Sequence, residues 1–240
     1  VGEAGVEHVL TIAGGVDNSI GLSVPGGWTV ISGGRNNRAG EGTHYSVIPG
    51  GRDNRVDSQH CLAAGRRAKA LHRGSFVWGD ASDTDISSTA DNQFTARASG
   101  GVRFYTSADL TSGVQVAPGS GSWSSLSDRD SKENFADLSP REVLAKVAAL
   151  PVSSWNYKTQ NKSIRHIGPM AQDFHAAFEL GESDKRISAV DADGVALTAI
   201  QGLHQLVEEK ERRIQDLEAR MARLEKLLAY KIISLLSVMA

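Results

Sequence analysis

The sequence predicts an α+β chain of fibrous build: Gly-rich β-roll/β-prism repeats, then a small α+β domain that ends in a long parallel coiled-coil helix. Three observations carry this expectation. Glycine supplies 25 of the 240 residues, nearly all before Ser127. The stretches "WTVISGGRNNRAG" (28–40) and "YSVIPGGRDNRVD" (45–57) match in unbroken register 17 residues apart. From Ile200 to Leu228 the apolar residues keep a heptad period.

The repeats come first. An earlier copy is "LTIAGGVDNSI" (10–20) and a decayed later one is "CLAAGRRAKAL" (61–71). Each pairs a short strand with glycine and, in the clear copies, an Asn, residues that tolerate positive φ and turn corners at fixed places. A coil this small buries too few apolar residues to stand alone, so the copies must stack. No Gly-rich turn opens an amphipathic helix or carries a phosphate-binding lysine, which argues against a nucleotide loop. Arg35, Arg52 and Arg66 recur by register and read as solvated ladder positions. The repeat region is expected over 1–80, ending after "GSFVWGD" (74–80). Short strands separated by Gly-Gly, Ser-Gly and Pro-Gly turns then predict a β connector over 81–124.

The second half has a different grammar. An α+β domain is expected over 125–192. "LSPREVLAKVAALP" (138–151) carries Ser139 as N-cap, Pro140 at N1 and Glu142 at N3, with Val143, Leu144, Val147 and Leu150 as its apolar stripe. "SSWNYK" (153–158) and "SIRHIGPMA" (163–171) read as strands flanking a polar turn. "AQDFHAAFEL" (171–180) reads as a short helix closed by Gly181. "DADGVAL" (191–197) resembles the start of a calcium loop but lacks the later ligands, so it predicts a turn in which Asp193 caps the next helix. That helix is expected over 193–229. Ile200, Val207, Ile214, Met221 and Leu228 take a positions; Leu203, Lys210, Leu217 and Leu224 take d. Arg213 with Glu218, and Arg220 with Glu225, have the spacing of interchain ion pairs in a parallel coil. An apolar tail, 230–240, follows.

Composition narrows the partners. A formal charge of −2 offers no footprint for nucleic acid or an anionic membrane. One cysteine, Cys61, excludes an intrachain disulfide framework, and no residue set suggests a metal or another cofactor. Cys61 itself reads as a small buried apolar residue. The opening Val1-Gly2-Glu3 is acidic where a signal peptide would be basic, and reads as the start of an excised fragment. "KIISLLSVMA" (231–240) is about half the length that spans a bilayer.

Two resemblances add to this reading. The repeats resemble the β-roll heads of trimeric surface adhesins and the shafts of phage tail fibres, which implies a threefold assembly. "LSDRDSKENF" (126–135), "WNYK" (155–158), "HIGPMAQDF" (166–174) and the terminal coil resemble the intramolecular chaperone auto-processing domain that ends phage endosialidases, many tail fibres and tailspikes. The likeness covers about 125–229, with Pro169 standing where that family usually has a hydrophobic residue. It implies a homotrimer that helps upstream fibre domains of the same chain to fold, then removes itself through a Ser–Lys dyad. Ser127 matches the nucleophile and Lys132 the general base, with scission at Ser127–Asp128. The implied setting is a virion tail fibre or related phage-like particle, folded first in the host cytoplasm, whose receptor the sequence does not name.

The chemistry fits the residues. A serine hydroxyl is a weak nucleophile, and a lysine can take its proton only in the neutral form, which desolvation on assembly favours. Attack by Ser127 on its own carbonyl would close a four-membered ring; attack on the Leu126 carbonyl closes a five-membered one. The hydroxyl therefore acts on a neighbouring chain, or the bond is Leu126–Ser127, or Asp128 takes part. His166 is a candidate supporting residue, although a strand histidine is more often simply a satisfied, half-buried group. The competing reading is a non-cleaving trimeric fibre or adhesin shaft.

Overall fold

A computed structural model describes residues 9–21 and 28–238, in two units, Val1–Ser131 and Lys132–Ala240. Short strands coil through the first: β1 (Val9–Ile12), β2 (Ser19–Ile20), β3 (Trp28–Ile31), β4 (Arg38–Ala39), β5 (Ser46–Ile48), β6 (Arg55–Val56), β7 (Leu62–Gly65), β8 (Ala68–Ala70), β9 (Phe76–Gly79), β10 (Ile86–Ser87) and β11 (Phe94–Arg97). Odd-numbered strands stack in parallel as β1-β3-β5-β7-β9-β11, and even-numbered ones as β10-β8-β6-β4-β2. This is a β-solenoid. The two-residue period of each strand sends alternate side chains inward. Ile31, Ile48, Ala63 and Val77 from one sheet meet Ala39, Val56 and Ala70 from the other in a narrow buried core, with Cys61 among them.

The Gly-Gly-x-x-Asn signature of the repeats has a mechanical reason. Gly34 sits at φ +88, and a Cβ there would overlap the Gly51 carbonyl oxygen of the next coil. Asn37 is fully buried. Its Nδ2 donates to the carbonyls of Gly33 (2.9 Å) and Gly51 (3.0 Å), and its Oδ1 accepts from Asn54 N (3.0 Å). Asn54 does the same one coil on, donating to Gly50 and Gly65 and accepting from Ala68 N at 2.9 Å. Buried amides that are fully satisfied bind coil to coil, whereas an unsatisfied one would cost about 1–3 kcal/mol. Val16, Arg35, Arg52 and Arg66 pair as parallel bridges, the ladder that their recurrence predicts.

The coil path continues past the last legible repeat. β9, β10 and β11 extend both parallel sheets to Arg97 without the Gly-Gly-x-x-Asn signature. Ion pairs take over the amide's role there. Asp80 accepts from Arg97 Nε and Ser99 N, both at 2.8 Å, while Asp83 meets Arg66 (2.8 Å) and Arg67 (2.6 Å). β12 (Val102–Tyr105), β13 (Gly113–Val116) and β14 (Ser124–Ser125) then form an antiparallel meander.

The second unit contains α1 (Pro140–Ala149), the antiparallel pair β15 (Ser153–Trp155) and β16 (His166–Gly168), α2 (Ala171–Phe178) and α3 (Ala189–Val238). The predicted cap of α1 is present: Ser139 Oγ accepts from Glu142 N at 3.4 Å. At the end of α2 it is Glu179, at φ 55, that takes the left-handed position next to the helix, two residues ahead of Gly181.

α3 corrects the reading of "DADGVAL". No turn forms there, and Asp193 does not cap the helix: Asp191 to Gly194 already lie within it. Ser188 precedes the helix and its Oγ accepts from Asp191 N at 3.3 Å, while its carbonyl accepts from Ala192 N at 3.1 Å. A carboxylate in the first turn suits the positive end of the helix dipole, so the acidic run starts the helix rather than preceding it. The 50 residues of α3 continue through the apolar tail to Val238, with 239–240 outside the described residues. At 1.5 Å per residue it spans about 75 Å. α1 packs against its N-terminal part, over Val195, Ala199 and Gly202, which are all buried. Gly202 is needed for that approach, because a Cβ would overlap the Pro140 carbonyl oxygen.

Candidate functional site

The joint that carries the candidate nucleophile begins where the meander ends. β14 pairs with β13 at Val114–Ser125 and Gln115–Ser124, and Leu126 N adds one more bond to Gly113 O at 3.0 Å. Ser127 is thus the first residue beyond the meander's last backbone bond. Asp128 starts a 3-10 turn over Arg129–Ser131: its carboxylate accepts from Asp130 N (3.0 Å) and its carbonyl from Ser131 N (3.3 Å). A short acidic side chain that bonds the backbone two residues on is a standard turn former. Ser127, Asp128 and Lys132 are all exposed in the single chain. The division between the two units falls at Ser131 and Lys132, so the candidate nucleophile belongs to one unit and the candidate base opens the other.

His166 sits on β16 opposite Trp155 of β15. Its ring lies 4.9 Å from that of Trp155 and 5.6 Å from that of Tyr157. Its Nε2 is 2.9 Å from Gln160 Oε1, in the loop of the same hairpin. Half buried and hydrogen-bonded, it has structural partners enough to account for its position. The Trp155–Tyr157–His166 cluster went unread in the sequence. Its one signal was the Trp-x-Tyr spacing, with Tyr157 two residues beyond the end of β15.

α3 presents two separate apolar stripes. Val195, Ala199 and Gly202 face α1, whereas the heptad residues lie one position on, about 100° around the helix. Ile200, Leu203, Val207, Ile214, Leu217, Met221, Leu224 and Leu228 keep 45–61 % of their surface exposed. Apolar residues repeating along some 28 residues at that exposure form a seam with no cover in the single chain. A hollow of about 420 Å³, which the sequence did not signal, lies over α1, α2 and the start of α3, floored by Val143, Phe178 and Val195.

Among the described residues no cluster of His, Cys, Asp or Glu is arranged to hold a metal ion, and no helix is long and apolar enough to cross a membrane. The chain matches no curated protein and no solved structure. Residues 127–180, from Ser127 through α2, match the family model of a peptidase family described as the chaperone of endosialidase, and that match supports a chaperone role for the segment.

Proposed function

We propose that the chain from Ser127 onward is an intramolecular chaperone: three copies associate through α3, bring their solenoids together to fold, and are then released by self-cleavage at the joint. The observation that carries this reading is the heptad seam of α3, left open by α1 while the adjacent stripe is filled. A seam of Ile, Val and Met at a with Leu at d favours association of parallel helices. The family-model match over residues 127–180, which begins at Ser127, supports a chaperone role for that stretch.

In the reaction Ser127 Oγ attacks a peptide carbonyl as its proton passes to Lys132 Nζ, the amine leaves with a proton, and water hydrolyses the resulting ester. Attack on the Leu126 carbonyl closes a five-membered ring and leaves Ser127 as the new N-terminus. Scission of Ser127–Asp128 takes the hydroxyl of another chain or the participation of Asp128, and leaves Asp128 first. A lysine takes a hydroxyl proton only in its neutral form, and in this reading assembly supplies the desolvation that favours that form. The product is a fibre-like trimer of the kind found on phage tails, and the chain acts on no substrate but itself.

Mass spectrometry and gels of wild type beside Ser127→Ala and Lys132→Ala test this. Wild type is expected to give fragments near 1–127 and 128–240, at a rate that rises from mildly acidic to mildly alkaline pH. Both variants are expected to stay whole and to assemble normally. Fragments persisting in both would end the dyad, and an intact wild-type band would favour a non-cleaving trimeric fibre.

A further inference from the structure

The solenoid's three sides are unlike one another. On the outer face of the odd-strand sheet, the paired registers run Thr11, Val30, Val47, Leu62, Phe76 and Phe94 in one column across all six strands. Val47 is 37 %, Phe76 40 % and Phe94 67 % exposed. Trp78 stands beside this column on the same face, with Trp28 and Tyr45 toward its other edge. The outer column of the even-strand sheet is instead Arg38, Arg55 and Lys69, and the corner between the sheets carries Arg35, Arg52 and Arg66. Three of these charges meet an acid within the chain: Arg52 meets Asp53 (3.1 Å), Arg55 meets Asp57 (2.5 Å) and Arg66 meets Asp83 (2.8 Å). Among the described residues, the apolar column stays open to solvent at Val47, Phe76 and Phe94.

We infer that this face is where the solenoid meets other copies of itself, around a rotation axis running along the stack. The inference rests on the trimer proposed above and names the surface through which the solenoids join. Symmetry decides which face can serve. Residues that lie on such an axis meet their own copies at the same height, so a column placed there must be compatible with itself. Valine, leucine and phenylalanine are. A column of Arg38, Arg55 and Lys69 would set cationic side chains against their own copies at three successive coils.

Two further observations favour a second copy over a small ligand. Trp28, Tyr45 and His60 stack in a row at 5.2 and 5.1 Å, so both faces of Tyr45 and one face each of Trp28 and His60 are already occupied. Sugars and other flat ligands bind ring faces, and this column offers few. The patch is also modest: six strands about 4.8 Å apart and about four residues long give roughly 300 Å², against ~800 Å² per partner in a stable complex. Such a face cannot assemble alone, but it can close once α3 holds the copies at high effective concentration. The area deficit makes the solenoid dependent on the helix.

Cross-linking in the full chain tests the surface. Val47→Cys and Arg55→Cys each place one accessible thiol on a different side, while Cys61 stays buried. With a short bis-maleimide, Val47→Cys is expected to give covalent dimer about tenfold faster than Arg55→Cys, because only its copies are held face to face. Light scattering on the same samples separates the possibilities. Trimers in which Val47→Cys does not outpace Arg55→Cys would overturn the assigned face and leave the role of α3 standing. A monomeric wild type with no cross-links would overturn both.

Discussion

In the solenoid, Ile31, Ile48, Val56 and Val77 have no accessible surface, whereas the buried apolar residues described in the second unit are Phe174, Val195 and Ala199. The first unit contains strands of two to four residues and yet closes a core; the second contains a 50-residue helix and leaves its longest apolar stripe bare. The difference lies in what supplies order. Coils are tied to their neighbours by backbone bonds and by the Asn18–Asn37–Asn54 amides, all within one chain. A long helix satisfies its own backbone and so gains nothing from being long unless its side chains find a partner. One unit closes its core within the chain, and the other leaves its longest apolar stripe exposed.

The sharpest way to break that contrast is Leu217→Asp. In the proposed assembly it sets three carboxylates at one layer of the seam and removes apolar burial worth about 1.5–3 kcal/mol per chain. Loss of trimer, seen by light scattering, together with loss of self-cleavage on gels, is the expected outcome. A monomer that still cuts itself would show that the joint needs no assembly.

Asn37→Ala attacks the other side. It leaves the carbonyls of Gly33 and Gly51 and the Asn54 N–H without their buried partner, a cost of about 2–3 kcal/mol. Thermal melts should show the solenoid losing stability at all protein concentrations. An effect that vanishes at high concentration would mean that the amide ladder, too, depends on association.

Two glycines of α3 provide a test of sign. Alanine is the better helix former by about 1 kcal/mol. At Gly194, where a Cβ meets nothing within 4 Å, alanine should stabilise the helical unit by a large part of that. At Gly202 it should destabilise it, because α1 must move away from the Pro140 contact. If both changes stabilise, as followed by circular dichroism in urea, the α1–α3 packing is wrong.

The smallest effect expected is the acid response of the first unit. Bonds from Ser99, then Arg97 and Ser82, hold the Asp80 carboxyl well below its ordinary value of 3.8, and bonds from Ser107 and Thr111 lower Asp109 to about 2. Depressed carboxyls contribute stability that is fully present above the ordinary value and is lost as pH falls through the folded one. The melting temperature should therefore hold above about pH 5 and decline from about pH 4 toward 2. Asp80→Asn should lower the neutral-pH value and flatten that decline. An unchanged slope would assign the acid sensitivity to other groups.

Much of this was readable in advance. Ser139-Pro140-Glu142 announced α1, the recurring glycines and Asn announced the coils, and the heptads announced α3, because caps, turns and apolar periods all have local signatures. The coils at β9, β10 and β11 did not, since Asp80–Arg97 and Asp83–Arg67 join residues far apart in sequence with no fixed spacing. The start of α3 was misread because Asp-x-Asp-Gly suits a turn as well as a first helical turn, and Ser188 decides between them. At the joint, the Ser127–Lys132 motif was legible as a resemblance, while the turn built on Asp128 emerged only from its backbone bonds.

One consequence of the coil geometry concerns length. Thr29 stands opposite Ser46, Val47 opposite Leu62, Leu62 opposite Phe76 and Phe76 opposite Phe94, offsets of 17, 15, 14 and 18 residues for equivalent steps. Each step advances the stack by the same strand spacing, about 4.8 Å, however many residues the corners spend. The solenoid therefore works as a ruler whose graduations are fixed while the chain between them is elastic in number. Gain or loss of a whole coil would change its reach by one graduation and leave every other coil in register, whereas a residue more or less in a corner would leave the reach as it was.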